Sequence, residues 1–226
     1  QSPHPLFDAP YYLDRYPDVA EQGINPLLHF IRFGLEEERQ CHLLFDAGHY
    51  KKQHPDVAEQ GINPLVHYLA TGAETRADPH PLFNQTFYCA QGLINGVKNE
   101  TPLAHFLRIG CHKNIDPHPL FDSSFYLDKY PDVAEQGINP LLHFLQTGWL
   151  EGQSPHPLFD APYYLDRYPD VAEQGINPLL HFLQTGWLEG QNPHLLFDTA
   201  YYLTQCPDVA EQGINPLLHF LQTGWL

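Results

Sequence analysis

The chain contains no methionine and only three tryptophans, and its four cysteines, Cys41, Cys89, Cys111 and Cys206, fall at four different positions of a repeating pattern. A disulfide or zinc framework carried by every repeat would keep its cysteines in register, so these are read as drift. Cations are scarce: 11 Lys plus Arg stand against 27 Asp plus Glu, a formal net charge of −16. Such a chain repels phosphate backbones and anionic lipid, which argues against nucleic acid as a partner. No apolar run approaches the roughly 20 residues that span a bilayer, so no membrane insertion is expected. A Gly-rich phosphate loop, a Gly-x-Ser-x-Gly elbow and a His-Glu-x-x-His pair are also missing, which removes the commonest local signatures of catalysis. The chain opens at Gln1 with no charged-then-apolar leader, and the expectation is a processed protein or a fragment.

What is present is repetition. Phe7, Phe45, Phe83, Phe121, Phe159 and Phe197 recur every 38 residues, as do Pro26, Pro64, Pro102, Pro140, Pro178 and Pro216. A fixed period of this size marks stacked supersecondary units, none of which buries its apolar face alone. The repeats are drawn at 1–40, 41–78, 79–116, 117–154, 155–192 and 193–226. Hydrophobic residues make up 42% of the chain, so the 22 prolines punctuate structure and do not signal disorder.

The punctuation predicts helices. Asp8 precedes Ala9-Pro10-Tyr11-Tyr12-Leu13, where its carboxylate can cap a first helix running to about Tyr16, and Pro17 interrupts it. Asp18 to Gln22 forms a further short turn that Gly23 ends. Asn25 as cap, Pro26 at the first helical position and Gly34 just past the end frame another helix of about two turns, and the rest through Gln40 is linker. Helices this short do not survive alone in water, so stacking must stabilise them. At about 100° per residue, Leu27, Leu28, Phe30 and Ile31 share a broad apolar face and His29 points away from it. The fold class expected is all-α, a solenoid-like stack of six units with two or three short helices each.

The third repeat tests this expectation. The fourth and fifth differ only at Ser123, Ser124, Phe125, Lys129 and Ser154, so their agreement says little. In the third, the Asp cap becomes Asn84, the Asn cap becomes Thr101, the first Gly becomes Asn99, and Pro-Asp-Val-Ala becomes Leu93-Ile94-Asn95-Gly96. Asn and Thr still cap helices, and Asn tolerates left-handed backbone, so the architecture is kept while residues drift.

The strings Leu158-Phe159-Asp160-Ala161-Pro162-Tyr163-Tyr164-Leu165 and Tyr168-Pro169-Asp170-Val171-Ala172, followed by Gly175-Ile176-Asn177-Pro178-Leu179, resemble tandem repeats of bacterial surface, secreted and glycosyltransferase-associated proteins. The resemblance spans essentially the whole chain. It implies a helical repeat in an envelope or glycan-related setting, extracellular or at the cell surface, and carries over no catalytic residue.

Two ladders hold twelve of the 15 histidines: His4, His42, His80, His118, His156 and His194 form one, and His29, His67, His105, His143, His181 and His219 the other. Neutral imidazoles ligate zinc, copper, nickel and iron, so one expectation is an array that holds a transition metal or haem. His29 and His42 flank the turn at Gly34, but two imidazoles do not complete a zinc site. The competing expectation is that each His bonds a backbone carbonyl or caps an adjoining helix. Tyr12, Tyr50, Tyr88, Tyr126, Tyr164 and Tyr202 are read as buried rings with bonded or wet hydroxyls, or else as a sugar-binding face. Asp8, Asp18 and Glu21 recur as caps and helix-start acids, and so offer no differentiated acid and base pair.

The function expected is a non-enzymatic scaffold for protein assembly or adhesion, with self-association a natural outcome. A metal- or haem-binding array and a glycan-binding module are the alternatives. The chain starts inside a linker at Gln1 and stops at Leu226 without a polar cap, which points either to further units or to head-to-tail stacking. Protonating all 15 histidines would move the charge from −16 to −1, so assembly is expected to respond to acid.

Overall fold

A computed structural model describes residues 4–92 and 100–224. Short helices joined by turns and linkers make up this structure, with no strand among the described residues. The chain is an all-α repeat stack falling into two compact units, Gln1–Pro117 and His118–Leu226. No described helix is long and apolar enough to cross a membrane. The third-repeat positions Leu93, Ile94, Asn95, Gly96 and Asn99 lie outside the described residues.

The repeats whose residues are all described between the first and third helices follow one local recipe. In the first, Asp8 accepts a hydrogen bond from the Tyr11 amide at 3.1 Å and starts a helix over Ala9–Arg15. Pro17 then opens a separate helix, Pro17–Glu21, because the residue before a proline is pushed out of helical geometry: Tyr16 sits at φ −126. Gly23 follows at φ 63, the left-handed conformation expected of it. The third helix, Pro26–His29, is capped by Asn25, whose side chain accepts from the Leu28 amide at 3.0 Å. Both cap replacements of the third repeat work as read from sequence: Asn84 accepts from the Phe87 amide at 2.7 Å and Thr101 from the Ala104 amide at 3.3 Å.

The third helix departs from expectation. In the first, fourth and fifth repeats it continues as a wider π turn, Phe30–Gly34, Phe144–Gly148 and Phe182–Gly186, closed by bonds such as Leu35 N–H to Phe30 O at 2.8 Å. Gly34 therefore lies inside the helix and not past its end, and it is not left-handed. Its smallness answers a different need: a Cβ at Gly34, Gly148 or Gly186 would overlap the hydroxyl of Tyr12, Tyr126 or Tyr164. An α-helix would set residues five apart about 140° away from each other, whereas the π turn brings His143 and Gly148 to the same side, against the same tyrosine. The second and sixth repeats keep plain α-helices, Pro64–Thr71 and Pro216–Thr223, and there the glycine abuts the ring at Tyr68 or Phe220 instead.

The core of a repeat is an aromatic triangle. Phe7, Tyr12 and Phe30 pack with ring centroids 5.5 to 5.7 Å apart, and Tyr12 meets Phe30 edge-on. Each such ring stabilises by ~1.5–3 kcal/mol through burial, with the edge contacts adding further. Backbone bonds then tie each repeat to the next. In the first unit the Asp8 amide donates to Cys41 O at 2.9 Å and the Asp46 amide to Pro79 O at 2.8 Å. In the second unit Asp122 donates to Pro155 O and Asp160 to Pro193 O, both at 3.0 Å. One cap residue thus starts its own helix with its carboxylate and grips the following linker with its amide.

Candidate functional site

The tyrosine and histidine ladders meet inside the fold. In all six repeats the tyrosine hydroxyl lies 2.8 to 3.0 Å from Nδ1 of the histidine 17 residues later: Tyr12 with His29, Tyr50 with His67, Tyr88 with His105, Tyr126 with His143, Tyr164 with His181 and Tyr202 with His219. The expectation that His29 points away from the apolar face is overturned, since His29 is buried beside Phe30 while Leu28 and Ile31 are exposed. The partner is a tyrosine, not a backbone carbonyl. Burial raises Tyr12 to about 12 and lifts Tyr50, Tyr88, Tyr126, Tyr164 and Tyr202 as well, so each hydroxyl keeps its proton.

The fourth and fifth repeats extend the pair into a directed chain. Gln153 Nε2 donates to the Glu151 carboxylate at 2.9 Å, which turns Gln153 Oε1 toward the Tyr126 hydroxyl. A carboxylate only accepts, so the direction follows: Tyr126 donates to Gln153, and His143 Nδ1–H donates to Tyr126. Glu189, Gln191, Tyr164 and His181 repeat the arrangement. His143 and His181 therefore carry a proton on Nδ1. The Glu-Gly-Gln segments at Glu151–Gln153 and Glu189–Gln191 are the sequence signal for this chain, one that spacing arguments about histidine pass over.

The other histidine ladder has the opposite polarity. Nδ1 of His4, His42, His80, His118, His156 and His194 accepts the backbone amide two residues on, at 3.0 to 3.1 Å. Nδ1 must then be bare and the ring neutral, with its proton on Nε2. Burial agrees, pushing His42 and His156 down to about 4 and His80 down to about 3, and lowering His4. Through Nδ1 these rings brace their own linkers.

The structure thus brings tyrosine to the His29 ladder and a local amide to the His4 ladder. No group of three or more His, Cys, Asp or Glu side chains that could hold a metal ion forms among the described residues. Tyr12, Tyr50, Tyr88, Tyr126 and Tyr164 have fully buried rings, which leaves their faces unavailable to stack on a sugar. The outer surface is acidic instead, with Asp18, Glu21, Asp132, Glu135, Asp170 and Glu173 exposed on the short second helices. Comparison with protein-family models, with curated proteins and with solved structures finds no match to this chain.

Proposed function

We propose that this chain is a non-enzymatic helical scaffold that mediates protein assembly or adhesion outside the cell or at its surface. The observation that supports this most is the equivalence of the six Tyr–His pairs: every repeat uses its titratable rings to close its own core, and none is set apart as a reaction centre. What varies little and faces outward is the acidic second helix, Pro-Asp-Val-Ala-Glu in five of the six repeats. A surface presented at a fixed period suits a repeat protein that gathers partners along its length. The placement rests on the resemblance of the repeat strings around Tyr164 and Tyr168 to those of bacterial surface and secreted proteins.

The test is site-specific photo-crosslinking in source cells from Glu135, Glu173 and Glu211, three equivalent exposed positions. A discrete protein captured alike from all three supports the scaffold. Two results would replace it: metal bound near one per repeat and lost on His143→Ala and His181→Ala, or specific retention on a glycan array.

A further inference from the structure

The second repeat departs from its neighbours at one ring. Where the first, fourth and fifth repeats carry Tyr16, Tyr130 and Tyr168, the second carries His54. The ring keeps the same seat: its centroid is 4.8 Å from that of Tyr50, as Tyr16 is from Tyr12. The tyrosines use their reach to hold the linker that follows, each hydroxyl accepting the amide of Gln40, Ser154 or Asn192 at 2.7 to 2.8 Å. His54 does not take over that bond. Gln53 does, accepting from the Asp78 amide at 2.9 Å and donating to the Asp78 carbonyl at 2.8 Å. His54 is thereby left with a buried Nε2 that has no hydrogen-bond partner among the described residues.

A second imidazole stands beside it. The ring centroids of His54 and His67 are 5.2 Å apart, with the planes inclined at 61°. Two imidazoles that share one tetrahedral ion, at metal–nitrogen distances of ~2.0 Å, hold their centroids ~5 Å apart, so this pair needs little movement to close on an ion. The other nitrogen of each ring already has a neighbour, as metal-bound histidines usually do: Asp56 lies 3.9 Å from His54 Nδ1 and the Tyr50 hydroxyl 2.9 Å from His67 Nδ1. The carboxylate favours the proton of His54 on Nδ1 and a bare Nε2. An ion at His67 Nε2 likewise fixes that ring's proton on Nδ1, where the Tyr50 hydroxyl can accept it.

The geometry points to a metal site: His54 and His67 together bind one late first-row divalent transition ion through Nε2, with water in its remaining positions. The donors set the class, since imidazole suits zinc, copper and nickel, whereas calcium and magnesium take oxygen. A chain with a formal charge of −16 also draws cations to its surface. No group of three or more His, Cys, Asp or Glu forms among the described residues, so two protein ligands hold the ion and it stays exchangeable. The pair occurs once, because the other repeats carry Tyr16, Gly92, Tyr130, Tyr168 and Cys206 in place of His54. It is therefore a single site on the scaffold and not an array.

Titration of the purified, metal-free chain with zinc chloride tests this, followed by calorimetry and by long-range proton–nitrogen spectra of the imidazoles. The tightest event should take up one ion per chain and shift Nε2 of His54 and His67 before any other imidazole. His54→Tyr installs the residue that three other repeats use, so circular dichroism should be unchanged while zinc affinity falls by roughly tenfold or more. His143→Ala and His181→Ala should leave the event intact, which separates this site from the metal array that would displace the scaffold reading. A wild-type chain that takes up no zinc would overturn the proposal. So would uptake that survives His54→Tyr, or first shifts that fall on other histidines.

Discussion

The Tyr126 hydroxyl stands 2.9 Å from His143 Nδ1, and the carboxylate of Glu151, two bonds further along the same chain, decides which of them donates. Had Gln153 faced the other way, the histidine would have been an acceptor. The two ladders would then have been chemically alike. Instead, His143 and His181 hold a proton on Nδ1 while the His4 ladder leaves Nδ1 bare, a difference that sequence spacing does not encode.

Long-range proton–nitrogen correlation spectra of the imidazoles should separate the ladders near pH 7.5. His42, His80 and His156 should show Nε2–H and a bare Nδ1, because that nitrogen accepts an amide. His143 and His181 should show Nδ1–H. Finding the Nε2–H form at His143 would reverse the assigned direction of the Glu151 chain.

Removing the tyrosine hydroxyl should cost more where it has two partners. Tyr164→Phe leaves both His181 Nδ1 and Gln191 Oε1 without their bond, whereas Tyr12→Phe strands only His29. A stranded group costs up to about 1–3 kcal/mol when buried, as His29 is, and less for each of the half-buried His181 and Gln191. Urea unfolding should therefore show a larger loss for Tyr164→Phe, and equal losses would mean that Gln191 contributes nothing to the network.

The part of this fold legible in the sequence is its punctuation. Asp8, Asn25 and Gly23 act locally, through caps and a left-handed turn, and local chemistry survives any change of neighbours; Asn84 and Thr101 were readable for the same reason. His29 was misplaced because a helical wheel assumes one apolar face per helix. Here one side of the third helix closes its own repeat through His29 and Phe30, while Leu28 and Ile31 stand exposed on the other side. Gly34 was misread because glycine after a helical stretch ordinarily marks a left-handed end, and nothing local announces a tyrosine hydroxyl arriving from another helix. The constant spacing of 17 residues between Tyr12 and His29 in every repeat was a signal in plain view.

Gly148→Ala tests that close approach. The new methyl would overlap the Tyr126 hydroxyl and press on Gln153, so the variant should lose roughly 1–3 kcal/mol despite alanine's better helix propensity. In a Tyr126→Phe background the same substitution should cost less, because the obstructing atom is gone. Equal costs in the two backgrounds, measured by denaturant unfolding, would show that the glycine answers to something other than the hydroxyl.

Acid should loosen the fold, but by a narrower route than protonating all 15 histidines. Burial holds His42 and His156 at about 4 and His80 at about 3, below the 6.5 of a free imidazole, so these rings stay neutral in the folded chain while the unfolded chain takes up their protons. Their contribution is whole above pH 6.5 and is lost as the pH falls toward 4, at about 1.4 kcal/mol per pH unit for each ring. Asp78 works in the opposite sense. Burial raises its carboxyl to about 6, so the folded chain takes up that proton first and gains stability between pH 6 and the ordinary 3.8. Three rings against one carboxyl leave a net loss, which denaturant midpoints at pH 7.5, 6 and 5 should register as a steady fall. His80→Gln and His42→Gln should flatten the slope even if they lower stability at pH 7.5. A midpoint indifferent to pH across that range would mean that the linker histidines are hydrated, and that their amide bonds to Leu44 and Leu82 are not what braces the turn.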